Sequence, residues 1–394
     1  MPSLPHIPLP KIPHISWLPI TIPHIPVPYI PYFNDILGIL LGGLFGLIAV
    51  VFTVIGAIGV LIAIPLWILP AIWFLFFNDR NISLGIREYI GKGIKKYSGK
   101  VVWIVGVSTT LGKEMALELA TVGAKLILSA RKVDILEELK EDCIEISNGK
   151  LSDSDILVLP FDITEMEKEY VDIAIEEFGK IDVFINNTGH NTGLIELNDA
   201  CKTDIDIDIS MFDSNFFAPA FLTKQVVKHF MKTGGGEIIA VSSIVAKGGL
   251  PGQAAFSASK KALNGYLDCL RLESSRHKIF VTTVCPGLIH SSDSDSENTV
   301  FVGTSEITQE EQLKITRKGL KPKRCAHLIL VAGANRLTEC WVANQPFLLL
   351  TYLAQYNPWV HRYVMGFIFS KKRLEKIYEG IKPNIWIWRP LFVI

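Results

Sequence analysis

Two glycines frame the first run of this 394-residue chain that suggests a chemical role, Gly106-Val-Ser-Thr-Thr-Leu-Gly112. The run joins an apolar stretch, Val101–Gly106, to an amphipathic one, Leu111–Val122. It therefore reads as a strand turning sharply into a helix. Glycine permits the turn, and the helix N-terminus then faces an anion such as a pyrophosphate. Gly106, Ser108, Thr110, Leu111 and Gly112 are the candidate contacts. A second strand, Lys125–Ser129, runs into Ala130, Arg131 and Lys132. An acidic residue there would bind a ribose 2′-hydroxyl, whereas Arg131 would neutralise a 2′-phosphate, which favours NADP(H) over NAD.

More polar residues follow at the ends of further strand-like runs. In order they are Asp162-Ile163, Asn186-Asn187-Thr188-Gly189, Asn215, Ser242-Ser243, Phe256-Ser-Ala-Ser-Lys260 and Pro286-Gly287. The strands that would present them are Asp155–Pro160, Ile181–Asn186, Glu237–Ser242 and Ile279–Cys285. Helical stretches lie between them. Such alternation predicts an α/β fold, a Rossmann-like doubly wound parallel sheet. Phe256 and Lys260 fall one turn apart on one helix face.

In order and spacing these motifs resemble the short-chain dehydrogenase/reductase family over about residues 100–345. Within it, Trp341–Tyr356 resembles the membrane-associated member 7 branch, whose relatives of known activity act on steroids, retinoids and other apolar carbonyls. The resemblance implies that Gly106 and Gly112 line the cofactor phosphates and that Asp162 meets the adenine. It places Asn187 beside the nicotinamide ribose, with Ile163, Pro286 and Gly287 along the cofactor cleft. It makes Ser243 the holder of the substrate oxygen, Lys260 the ribose ligand and Asn215 the positioner of a relay water.

Two departures stand out. Phe256 occupies the place of the family's catalytic tyrosine. That phenol exchanges a proton with the substrate oxygen, with its pKa near 10 lowered by the neighbouring cation. Phenylalanine has no proton to give, and general acid–base catalysis contributes about 10²–10⁴-fold. Ser257 lies about 100° around the helix and does not replace it. Thr110 stands at the middle glycine of the phosphate turn, where bulk weakens cofactor binding although a hydroxyl is gained. Val105 and Thr188 depart mildly as well.

The surrounding chain divides into an arm (1–35), a membrane segment (36–77), a basic linker (78–99), the Rossmann domain (100–345) and a C-terminal extension (346–394). The first 31 residues hold ten of the 21 prolines, which disfavours helix and sheet. That arm reads as an apolar extended segment rather than a proline-motif ligand or a metal site built from His6, His14 and His24. Residues 36–77 carry no charge. As one helix they would be about 63 Å long, roughly twice a bilayer core. Either two spans turn near Gly56–Gly59, or one span precedes an interfacial stretch. Basic residues from Arg80 to Lys100 follow, so the domain is expected to face the cytosol, from the endoplasmic reticulum membrane. The extension beyond 346 caps the pocket or lies on the membrane.

Thirty-nine basic residues balance thirty-nine acidic ones, which argues against nucleic acid as a partner. The six cysteines show no Cys-x-x-Cys spacing, so free thiols are expected and no metal site. The expected partners are an apolar small molecule and membrane lipid, with a homodimer left open. Three functions compete: an NADP-dependent oxidoreductase, a catalytically dead nucleotide-binding or scaffolding relative, and a purely structural membrane protein. Fold alone does not choose among them.

Overall fold

The structure, a computed structural model, describes residues 33–63, 78–167, 169–189, 204–250, 253–290 and 319–368. Most of the proline-rich arm and residues 64–77 lie outside the described residues, as does the end of the extension, 369–394.

The N-terminal unit is a helix, α1 (Phe33–Ala63). It runs unbroken through Gly56 and Gly59, so of the two readings the one with a turn there is not realised. Its segment Gly38–Val60 has a mean hydropathy of 2.6, with none of it buried. Its 23 residues make it about 35 Å long, enough to cross a bilayer core.

The folded domain is built on seven parallel strands ordered β3-β2-β1-β4-β5-β6-β7. They are β1 (Val101–Val105), β2 (Lys125–Ser129), β3 (Ile156–Val158), β4 (Val183–Asn186), β5 (Gly236–Val241), β6 (Ile279–Pro286) and β7 (Glu339–Val342). β1 shows why both faces must be covered, since all five of its residues are buried. Val102 and Ile104 enter one core, while Val101, Trp103 and Val105 enter the other. Helices α3 (Thr110–Thr121), α4 (Val133–Ile146) and α10 (Pro322–Ala334) cover the first face. Helices α5 (Glu169–Phe178), α7 (Ala218–Thr233) and α9 (Ala254–Ser274) cover the second. The strand order reverses between β1 and β4, and in such sheets the ligand crevice opens at that point, beyond the carboxyl ends of the strands.

The segment 78–99, expected as a linker, is folded onto the domain. Arg80 pairs antiparallel with Val342, and the Asn81 N–H donates to the Trp341 carbonyl at 2.9 Å. Helix α2 (Ile82–Ile90) follows, with Leu84 fully buried. Tyr97 is also fully buried, and its hydroxyl donates to the Leu330 carbonyl at 2.9 Å. Arg80 and Arg324 both bridge Asp79 and Glu88, tying this segment to α10. The basic residues read as a linker in sequence, but Arg80 is consumed in this part-buried network. β7 was also unforeseen as a strand, being only four residues long.

After β7, helices α11 (Phe347–Tyr356) and α12 (Pro358–Ile368) form the C-terminal extension. Leu348 packs with Trp341 and Cys285 in a third cluster. Of the six cysteines, the five that are described are free thiols.

Candidate active site

The turn after β1 is held by a closed set of bonds. Gly106 has a φ of +89°, and a Cβ there would lie 2.5 Å from the Asn187 carbonyl oxygen. Thr109 caps α3: its hydroxyl accepts from the Gly112 N–H at 3.0 Å and donates to the Gly106 carbonyl at 3.1 Å. The Asn187 amide, just past β4, donates to that carbonyl and to Thr109 Oγ1, each at 2.9 Å. A Cβ on Gly112 would meet the Gly106 oxygen at 2.3 Å. Both glycines are thus required by the packing of the turn.

Thr110 is the first residue of α3 and is absent from the positive-φ positions, so its backbone is one that any residue adopts. Its departure from glycine adds bulk without strain. Leu111 is buried in the core, and Ser108 is half-buried on the turn. Thr109, which sequence reasoning passed over, carries the N-cap signature of a threonine just before a helical run.

At the neighbouring strand ends, the Phe161 N–H donates to the Ala130 carbonyl at 3.1 Å. Arg131 and Asp162 each follow one of these bonded residues, beyond the ends of β2 and β3. Arg131 is exposed. Asp162 accepts from the N–H and hydroxyl of Thr164 at 2.9 and 2.7 Å, while Ile163 packs on the second core.

The corner that holds the predicted catalytic residues is assembled from β4, β5, α9 and a π-turn, Asp213–Phe217, that joins α6 (Ile205–Phe212) to α7. Such π-turns cluster at functional sites. This one holds Asn215, which is fully buried and donates to Ser259 Oγ at 3.2 Å. Ser259 in turn donates to the Phe256 carbonyl at 3.0 Å.

Lys260 is 4% exposed, and its Nζ donates to the Thr188 carbonyl at 2.8 Å and the Val241 carbonyl at 3.4 Å. A Cβ on Gly189 would lie 2.6 Å from Lys260 Nζ and 2.8 Å from Asn215 Oδ1. Lys260 and Asn215 therefore converge on the Cα of Gly189. Phe256 is half-buried one turn before Lys260.

Ser243 follows β5. Its hydroxyl donates to the Pro286 carbonyl at 3.5 Å and accepts from the Val245 N–H at 3.4 Å. Gly287 brings the chain after β6 against β7, where a Cβ would lie 2.6 Å from that of Ala343.

Burial pushes the Lys260 ammonium down to about 8 from 10.5, because no carboxylate offsets the lost hydration among the causes of the shift. Between those values the unfolded chain binds a proton that the folded domain releases, so Lys260 lowers stability at neutral pH. The penalty is withdrawn as pH rises through that window. Against Lys260→Met, the unmodified domain is expected to gain on the order of 3 kcal/mol between about pH 7 and about pH 11. Denaturant titrations of both proteins check this, and a pH-independent difference would refute it.

The family model of short chain dehydrogenases matches residues 100–299. The chain is 34% identical over 317 residues to human (Homo sapiens) dehydrogenase/reductase SDR family member 7, covering 78% of this chain and 88% of that protein. It is 31% identical to the mouse (Mus musculus) protein of the same name, covering 82% and 95%. A Drosophila melanogaster dehydrogenase/reductase SDR family protein 7-like is 29% identical, covering 85% and 95%. Among solved structures, levodione reductase superposes with a TM-score of 0.56 at 20% identity, over 64% of this chain and 99% of its own.

Proposed function

Because this chain belongs to the short-chain dehydrogenase/reductase family, we propose that it is a membrane-anchored, NADP(H)-binding member whose oxidoreductase chemistry on apolar carbonyls is impaired. The observation that carries the reading is Phe256, one turn before a buried and fully oriented Lys260. The residues present fit a dinucleotide: a glycine turn without room for side chains, a helix N-terminus behind it and Arg131 at the second strand's end.

When bound, the cofactor supplies or accepts a hydride at its nicotinamide. Lys260 would hold the ribose beside it. The Ser243 hydroxyl, whose bonds within the domain are long, would hold the substrate oxygen. Asn215 would position a water. The proton itself lacks a donor at Phe256, which presents carbon where a phenol is needed.

Fluorescence titration tests the first half, with NADPH expected to bind more tightly than NADH. Arg131→Ala should erase that preference, and equal affinities in the unmodified protein would refute it. Turnover tests the second half: no carbonyl should be reduced at a rate typical of the family. Complete absence of NADPH binding would favour a purely structural role.

Anchoring is assigned to α1, in the endoplasmic reticulum membrane with the domain in the cytosol. The exposed cations Arg87, Lys92 and Lys95 support that orientation, and digestion of the domain by protease added outside intact microsomes checks it.

A further inference from the structure

Helices α2 and α12 each have an inner and an outer face of opposite character. On α2, Leu84 points inward while Ile82, Ile86, Tyr89 and Ile90 are exposed, the last two at 78% and 77%. On α12, buried His361 lies against Gly248 of α8 (Val245–Gly248), while Trp359 and Tyr363 are each 75% exposed and stack on one another. Tyr356, at the end of α11, is also 75% exposed. α2 is joined to α12 through α11, which packs on α12: the Ile82 N–H donates to the Tyr352 hydroxyl of α11 at 3.1 Å, beside the Arg80–Val342 pair. Solvent-exposed apolar residues at helical spacing on neighbouring elements mark an interaction surface.

We propose that this surface is a second membrane contact, in which α2 and α12 dock the domain on the bilayer at the headgroup level. Two observations select lipid over a protein partner. The first is charge. Arg87, Lys92, Lys95 and Arg362 are exposed, whereas residues 347–368 contain no carboxylate. The only acids of segment 78–99, Asp79 and Glu88, are bound by Arg80 and Arg324. Aromatic side chains among cations, without exposed acids, suit an interface of phosphate headgroups.

The second observation is tethering. Fourteen residues, 64–77, separate the end of α1 from Asn78, the first described residue of the domain. In any conformation they reach at most about 50 Å, so anchoring through α1 bounds how far Asn78, four residues before α2, can lie from the bilayer. The proposal rests on that anchoring.

The full chain is reconstituted into phosphatidylcholine–phosphatidylserine vesicles with brominated acyl chains and separated by flotation. Bromine quenches tryptophan within the bilayer, and Trp359→Phe isolates the signal of Trp359. We expect the variant to lose a lipid-quenched component of the emission. Placing the probe on α2, by Tyr89→Trp in the Trp359→Phe background, should restore one. Both residues are exposed, so neither change disturbs the core. A chain that floats but shows no lipid-quenched component from Trp359 overturns the docking while leaving the anchor intact. Shielding of Trp359 from both bromine and aqueous iodide would assign the surface to a second copy and overturn it too. A chain that fails to float overturns both readings.

Discussion

Phe256→Tyr is expected to raise NADPH-dependent reduction of an apolar carbonyl by at least ~10²-fold over the native chain, the lower end of what a general acid contributes. The environment that a phenol requires is already in place. Lys260 is one turn away, buried and oriented by the Thr188 carbonyl, and Asn215 meets it at Gly189. The added oxygen restores the missing proton donor and nothing else. The gain should disappear in Phe256→Tyr/Lys260→Ala, because a phenol near its ordinary pKa of 10 is poorly matched to neutral pH. If Phe256→Tyr is silent, Thr110→Gly is added to restore cofactor affinity. A double variant that binds NADPH yet reduces none of a panel of steroid, retinoid and simple ketone substrates would refute the prediction. Brisk turnover by the native chain, abolished by Lys260→Ala, would overturn the impaired-enzyme reading.

The second large effect concerns where the domain begins. A chain starting at Asn78 is expected to fold, whereas one starting at Lys100, where the family match starts, should not. The shorter chain loses Tyr97 and Leu84, both fully buried in the first core. Removing a buried leucine or a large aromatic side chain costs about 2–5 kcal/mol each. It also leaves Arg324 without Asp79 and Glu88. The sum rivals the 5–15 kcal/mol that typically holds a domain together. Circular dichroism melts of the two chains decide it, and a cooperative transition at unchanged temperature in the shorter one would refute the expectation.

Much of the sheet was legible because its strands are short apolar runs separated by helices with one apolar face. The β1 run, Val101–Val105, has no polar residue to blur it. β7 was not legible: Glu339-Cys-Trp-Val is four residues long and begins with an acid that Lys247 neutralises from α8. Segment 78–99 misled for a related reason. Its charges read as a linker in sequence, yet four of the residues forming the part-buried network are separated by up to 245 positions.

In the candidate site, residue types pointed to Gly106, Gly112 and Lys260, and all three are closely packed in the structure. The roles of Thr109, Ser259 and Gly189 depend on contacts between strands and helices distant in sequence, so local spacing gives no warning of them. Thr110 reads more mildly in three dimensions, since its backbone conformation does not demand glycine.

The pairing of Arg80 with Val342 has a consequence for crowding. A parallel sheet whose last strand is bare offers unsatisfied N–H and C=O groups to any neighbouring chain. Here the outer side of β7 is covered in part, with the Asp79 carbonyl accepting from Ala343 N–H and the Trp341 carbonyl accepting from Asn81 N–H. At the opposite margin, β3 is only three residues long, too short a template for strand addition. Copies confined to one bilayer surface collide far more often than copies in solution. A sheet partly covered at one margin and minimal at the other offers such copies little template for strand addition.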